Sequence, residues 1–174
     1  MPVLFSGAWR SSAVAPMMPA LPADSAPSLP HYRFKNPGLL TEALTHKSHV
    51  NERKGATRSH NERLEFLGDA VLSLIISDHL AQLYTQLSEG ALSKLKANLV
   101  SESSLAQAAR RMNLGALLRL GRGEVLSQGR EKNSLLADAL EAVIAAVYLD
   151  GGLEASRTFT LGVMQEELRH AEAH

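Results

Sequence analysis

The sequence predicts an all-α domain, on three observations. No stretch alternates apolar and polar residues over a useful length, whereas Leu, Ile, Val and Ala recur at helical spacing in block after block. The composition, 5% aromatic with abundant Leu and Ala, leans the same way. The blocks are separated by helix-boundary chemistry: Asn36-Pro37, Ser88-Glu89-Gly90, Asn113-Leu114-Gly115 and Gly151-Gly152.

At 174 residues the chain suits one domain with its own core plus an appendage. Lys+Arg and Asp+Glu number 18 each, so no whole-protein field draws in a polyanion; an anionic partner has to be held by local clusters or by metal. Cysteine is absent, which excludes disulfides, thiolate nucleophiles and Cys-built zinc sites, and fits a reducing compartment. No apolar run reaches the roughly 20 residues that span a bilayer. A soluble, cytoplasmic protein with no membrane partner is expected.

Taken in order, residues 1–30 hold Pro16, Pro19, Pro22, Pro27 and Pro30 and a single acid, Asp24. Proline lacks an amide donor and apolar periodicity is missing, so this stretch reads as a flexible Pro/Ala-rich extension. A later start at Met17 or Met18, or a tail, fits it better than a targeting peptide with so thin an arginine pattern. The folded domain is expected over 31–174. Asn36 caps a short helix with Pro37 at its first position, carried by Leu39, Leu40, Ala43 and Leu44 to about His46. Residues 48–59 are polar and read as a loop. A long helix follows over about 60–84, another from Ser88 with Leu92, Leu95 and Leu99 on one face, and a third over 102–112. The glycines at 121, 123 and 129 mark a loop. A helix capped by Asn133 or Ser134 runs to Tyr148, and a last one, about 153–169, turns Leu161, Met164 and Leu168 inward.

Two of these helices carry the chemistry. In a helix over 60–84, Glu62, Glu65 and Asp69 fall within a roughly 60° arc, at about 100° per residue. Leu64, Phe66, Leu67, Ala70, Val71, Leu72, Leu74, Ile75 and Ile76 occupy most other directions, which predicts a buried element. Buried carboxylates cost several kcal/mol unless a base, a shared proton or a metal pairs with them. The alternative is an exposed acidic seam. A second acidic pair weighs against that alternative: Asp138 and Glu141 are three apart on the otherwise apolar helix from Ser134, among Leu136, Ala139, Leu140, Val143 and Ile144. Two such pairs meeting at one point would drive a carboxylate pKa up steeply, and a divalent cation resolves the conflict. All-oxygen ligation favours Mg²⁺, with Mn²⁺ as a substitute, over zinc. Such ions serve phosphate chemistry by polarising a phosphoryl oxygen and activating water. A di-iron carboxylate bundle competes, but that class uses Glu-x-x-His motifs where this chain has Glu62-x-x-Glu65 and Asp138-x-x-Glu141.

The blocks ALTHKS (43–48), NERLEFLGDAVL (61–72), EGALSKLKANLVSE (89–102) and SLLADALEAVIAAVYLDGG (134–152) together resemble the ribonuclease III endonuclease domain. The likeness covers about residues 31–169. It implies an all-helical homodimer that cuts both strands of double-stranded RNA, leaving 5′-phosphates and short 3′ overhangs, in processing of ribosomal RNA precursors and other RNAs. Carried over by position, Glu65, Asp69, Asp138 and Glu141 match metal-binding carboxylates. Glu62 and Glu89 match acids that shape the cleavage valley, Glu62 being counted with the catalytic set. Phe66 matches an aromatic that plugs into the partner subunit; its alternative is an ordinary core phenylalanine. Lys94, Lys96, Arg130 and Lys132 lie near the motif blocks as candidate RNA-phosphate contacts, against the alternative of a solvated face. His46, His49 and His60 show no ligand spacing and are expected to be structural.

Two departures accompany the likeness. Bacterial members commonly follow this domain with a double-stranded-RNA-binding domain; here the sequence stops at His174, as a shortened or a naturally minimal form would, and weaker, more salt-sensitive RNA binding is expected. Ser127-Gln128 stands where a glycine-rich pair is frequent, which touches only the loop geometry. The rival functions are a non-catalytic RNA-associated scaffold, disfavoured because all four ligand positions are filled, and a metal-dependent nucleotide hydrolase.

Overall fold

The computed structural model describes residues 28–52 and 59–172, so the expected extension lies, for 1–27, outside the described residues. In chain order they form an antiparallel hairpin of β1 (Ser28–Leu29) and β2 (Tyr32–Arg33), then α1 (Pro37–Ala43), α2 (Lys47–Asn51), α3 (Glu62–Leu83), α4 (Glu89–Leu99) and α5 (Glu102–Arg111). There follow α6 (Leu114–Leu117), α7 (Arg122–Leu126), a 3₁₀ turn (Gly129–Glu131), α8 (Asn133–Val163) and α9 (Gln165–Glu172). The all-α expectation holds, the hairpin being the one sheet among the described residues.

The helix starts follow from local donors and acceptors. Asn36 Oδ1 accepts from the Gly38 amide at 3.0 Å, Ser88 Oγ from Ala91 at 3.3 Å and Ser101 Oγ from Ser104 at 3.3 Å, each satisfying an amide that the first turn leaves unpaired. α8 differs from expectation: Lys132 stands at its cap position without a side-chain bond to the first turn, and Asn133 is already inside the helix, its Oδ1 taken by Arg110 Nη2 at 2.6 Å.

The first half of α8 is the axis of the fold. Leu136, Ala137, Leu140 and every residue from Ala142 to Val147 are buried, so this segment is enclosed on all sides, as its composition predicts. The chain bends at Gly152, whose φ of 82° lies in the region glycine enters without steric cost. Beyond the bend the helix returns along its own first half, where Ser156 Oγ donates to the Ile144 carbonyl at 3.2 Å beside buried Phe159 and Thr160. The predicted pair of helices on either side of Gly151-Gly152 is thus recovered, with the final break at Met164 instead of near residue 169.

Three expectations need correction. The folded part reaches back to Leu29, which is buried, and the hairpin is held by Asp150, whose carboxylate accepts from Tyr32 Oη at 2.7 Å and from the Lys35 and Asn36 amides at 2.8 and 2.9 Å. The polar stretches read as loops contain α2 and α7. Each is stabilised from a distance: the Ser48 hydroxyl accepts from the Gly121 amide at 2.8 Å, and Glu52 Oε2 accepts from the Arg122 amide at 2.7 Å. Third, α3 is not buried all round. Leu64, Val71, Leu72, Ile75 and Ile76 face the core, while Phe66 is 82% exposed, Leu74 53% exposed and Ala70 lies open between them. Residues 66, 70 and 74 are four apart, so they form one apolar ridge on the outer side of the helix.

Candidate metal centre at the crossing of α3 and α8

A glycine sets the geometry of the site. A Cβ built on Gly68 would lie 1.9 Å from the Glu141 carbonyl oxygen and 2.4 Å from its carbonyl carbon, so only a hydrogen fits where α3 crosses α8. Glu65 and Asp69 flank that glycine on α3, and Asp138 and Glu141 lie one turn apart on α8. The close approach therefore carries both acidic pairs to the same place. Glu65, Asp138 and Glu141 each offer a carboxylate oxygen within 4.8 Å of the others, and all three are half-buried. Asp69 is more exposed and stands outside this trio, yet its charge acts strongly on Glu141.

The junction holds more negative charge than its one neighbouring lysine offsets. Burial, followed by the charges of Asp69, Asp138 and Glu65, pushes the Glu141 carboxyl up to about 7. Burial and then the nearby Glu102 raise Asp138, and burial and then Asp138 raise Glu65. The neighbouring lysine is engaged elsewhere: Lys47 Nζ bonds Glu62 Oε1 at 2.8 Å, which lowers the Glu62 pKa and raises its own. Oxygens of one Mg²⁺ ion, bound at about 2.1 Å, sit up to about 4.2 Å apart. The trio needs only a small inward movement to meet that geometry, so the residues present fit a hard divalent cation.

The other expected residues fall as follows. Glu62 is exposed and paired with Lys47, with His60 Nδ1 3.7 Å away. Glu89, in the first turn of α4, accepts from Ser93 Oγ at 2.7 Å and is not part of the trio. Lys94 and Lys96 lie on α4 without an ion pair among the described residues. Arg130 is not free for a phosphate in the way expected, because its Nη1 donates to the carbonyls of Gly115, Ala116 and Leu118 at 2.7, 3.2 and 2.7 Å. Lys132 is likewise committed, to Glu124 at 2.5 Å and Ser127 at 3.0 Å. Sequence reasoning missed Glu102, His46 and Lys47 as neighbours of the site. His46 and Lys47 come from the start of α2 and Glu102 from the start of α5, and no spacing along the chain relates them to Asp138.

The fold and the trio together define a helical domain with an acidic cluster that could bind a divalent metal. The chain belongs to the ribonuclease-III-like family, whose model matches residues 36–167. It is 54% identical over 133 residues to Ribonuclease 3 of Desulforamulus reducens, covering 76% of this chain and 54% of that protein. It is 55% identical over 136 residues to Ribonuclease 3 of Caldanaerobacter subterraneus subsp. tengcongensis, covering 78% and 59%. The chain thus spans little more than half the length of these curated relatives. Among solved structures, the nuclease domain of ribonuclease III from Campylobacter jejuni superposes with a TM-score of 0.73 at 43% identity, covering 79% of this chain and 92% of that one. That Campylobacter domain shows structural flexibility in a region involved in its dimer formation.

An acid whose pKa is higher folded than unfolded holds its proton preferentially in the folded state, so stability falls as pH rises between the two values. With Glu141 at about 7 against an unfolded value near 4.5, the metal-free protein is expected to lose Tm as pH rises from about 4.5 to 7. Millimolar Mg²⁺ should offset that loss, most at the upper end. Thermal melts across this range in EDTA and in Mg²⁺ check the sign; identical curves would mean no ion binds the ionised cluster.

Proposed function

We propose that this domain is a Mg²⁺-dependent endoribonuclease acting on double-stranded RNA, with Mn²⁺ able to replace Mg²⁺. The observation that carries the reading is the acidic junction at Gly68, where Glu65, Asp138 and Glu141 converge with Asp69 beside them, and where burial and mutual repulsion favour uptake of a proton or a cation. Glu65, Asp69, Asp138 and Glu141 would hold the ion, which when bound polarises a phosphoryl oxygen and activates water. Glu62, kept ionised by Lys47, and Glu89 would shape the valley beside it. Lys94 and Lys96, with no ion pair of their own among the described residues, are better placed to meet phosphates than Arg130 or Lys132. The products would be 5′-phosphate ends with short 3′ overhangs, in maturation of ribosomal RNA precursors and other duplex RNAs in the cytoplasm. No helix among the described residues is long and apolar enough to cross a membrane.

Two active sites cutting opposite strands require two copies of the domain. The ridge of Phe66, Ala70 and Leu74 supplies the surface, since a ring 82% exposed gains about 2 kcal/mol or more from burial against a second copy. Near it opens a hollow of about 620 Å³ whose lining mixes Leu39, Leu64, Leu67 and Leu149 with polar side chains such as Glu42 and Arg63. An isologous dimer would place each Phe66 in the partner's hollow.

Two experiments test this reading. Incubated with a long RNA duplex at low salt, the wild-type chain should shorten it in Mg²⁺ and not in EDTA. Glu141→Gln should slow cleavage by about 100-fold or more while leaving the metal-free Tm unchanged or higher, because one repelling charge is removed. Full activity of that variant in limiting Mg²⁺ would reject the site. In sedimentation velocity the wild type should run as a dimer and Phe66→Ala should shift to monomer with its helix content intact. A variant that stays dimeric would remove Phe66 from the interface.

A further inference from the structure

His46 has one ring nitrogen tied to the fold and the other without a protein partner among the described residues. Its Nδ1 accepts from the Ser48 amide at 3.3 Å as the cap of α2 and lies 2.8 Å from Ser48 Oγ. That hydroxyl accepts from the Gly121 amide at 2.8 Å, so its own hydrogen is directed at Nδ1. A proton on Nδ1 would confront the Ser48 amide hydrogen, and the neutral ring must carry it on Nε2. Burial lowers the His46 pKa, which keeps the ring neutral near pH 7.

The ring is fixed in place as well as in tautomer. The His46 amide donates to the Arg119 carbonyl at 3.0 Å, Thr45 pairs with Arg119 in an isolated bridge, and the Asn61 amide donates to the Thr45 carbonyl at 2.9 Å. His46 is therefore pinned between the segments leading into α3 and α7. Its Nε2 has no hydrogen-bond partner among the described residues and, unlike the sealed His49 Nε2, remains open to solvent. The next residue, Lys47, reaches Glu62 Oε1 at 2.8 Å, one turn before Glu65 on α3, and the charges of Glu124, Asp138 and Glu62 act on the His46 ring, which puts it beside the acidic junction. A lysine in that position would compete with a cation for the carboxylates. A neutral N–H adds direction without adding charge.

We infer that His46 is a substrate-positioning residue, whose Nε2–H donates a hydrogen bond to a non-bridging phosphate oxygen of the strand held at Glu65, Asp138 and Glu141. This rests on the nuclease reading above and adds to it a contact made by the protein itself, independent of the metal ligands.

The test separates the two ends of the ring. His46→Asn keeps a good cap acceptor for α2 and removes the distal donor; His46→Gln weakens the cap and keeps an N–H near the Nε2 position. Each variant is assayed with wild type for Tm in EDTA and for kcat and KM on a defined RNA duplex in saturating Mg²⁺. The expected result is a near wild-type Tm for Asn with kcat/KM lowered about ten- to hundredfold, as befits a lost bond to a charged group. Gln should melt lower yet recover most of the lost kcat/KM. Wild-type turnover by Asn, or activity that tracks Tm in both variants, would overturn the inference and leave His46 as a cap. If Asn fails to fold, His46→Ser takes its place, since Ser also caps a helix and lacks the distal donor: folded Ser with lowered kcat/KM supports the donor, and folded Ser at wild-type kcat/KM rejects it. Failure of the wild type itself to cut the duplex would instead reject the nuclease reading, and this inference with it.

Discussion

The contact on which the rest of the structure depends is the crossing of α3 over α8 at Gly68. Because that residue has no side chain, the two backbones approach until the glycine touches the Glu141 carbonyl, and any Cβ would collide. Helices held so close have no room to keep their flanking side chains apart. Glu65 is brought against Asp138 and Glu141, with Asp69 close enough for its charge to act on Glu141, and burial first, then the charges of Asp69, Asp138 and Glu65, raise Glu141 to about 7. A charge conflict of this kind persists only where the surrounding core over-determines it. Here α8 is enclosed along its first half, so the axis cannot rotate to relieve the acids.

The same crossing organises the periphery. α3 turns one side to the core and leaves Phe66, Ala70 and Leu74 outside, so an exposed apolar ridge and two of the acids share one helix. The segment before α3 brings Lys47 to Glu62 and the His46 ring to the rim. Lys47 thereby spends its ion pair on an acid outside the trio, and its charge reaches Glu65 and Asp138 too weakly to cancel the rise in their pKa values. The division is chemically sensible: a lysine among the three would fill the place of a cation.

Much of this was legible in the chain. The acids at 65 and 69 and at 138 and 141 have helical spacing on apolar elements, so their pairing could be read, as could the caps Asn36 and Ser88. What could not be read depends on contacts between distant segments. α2 and α7 look like loops because their stabilising bonds, Ser48 to Gly121 and Glu52 to Arg122, join residues more than 70 apart or close to it. Apolar residues all around α3 could not distinguish a core from a core plus an interface, since both are apolar. Gly68 in the middle of a helix reads as a small destabilising defect until the carbonyl it meets is known. Arg130 and Lys132 looked available because charge is visible in a sequence while their partners, three carbonyls and Glu124, are not.

The central claim is that this junction is built for a divalent ion, and it can be tested by locating one. Crystals of the domain grown or soaked with Mn²⁺ and measured for anomalous scattering should show a peak coordinated by oxygens of Glu65, Asp138 and Glu141. An empty junction at millimolar Mn²⁺, or a side-chain ammonium group occupying it, would contradict the account.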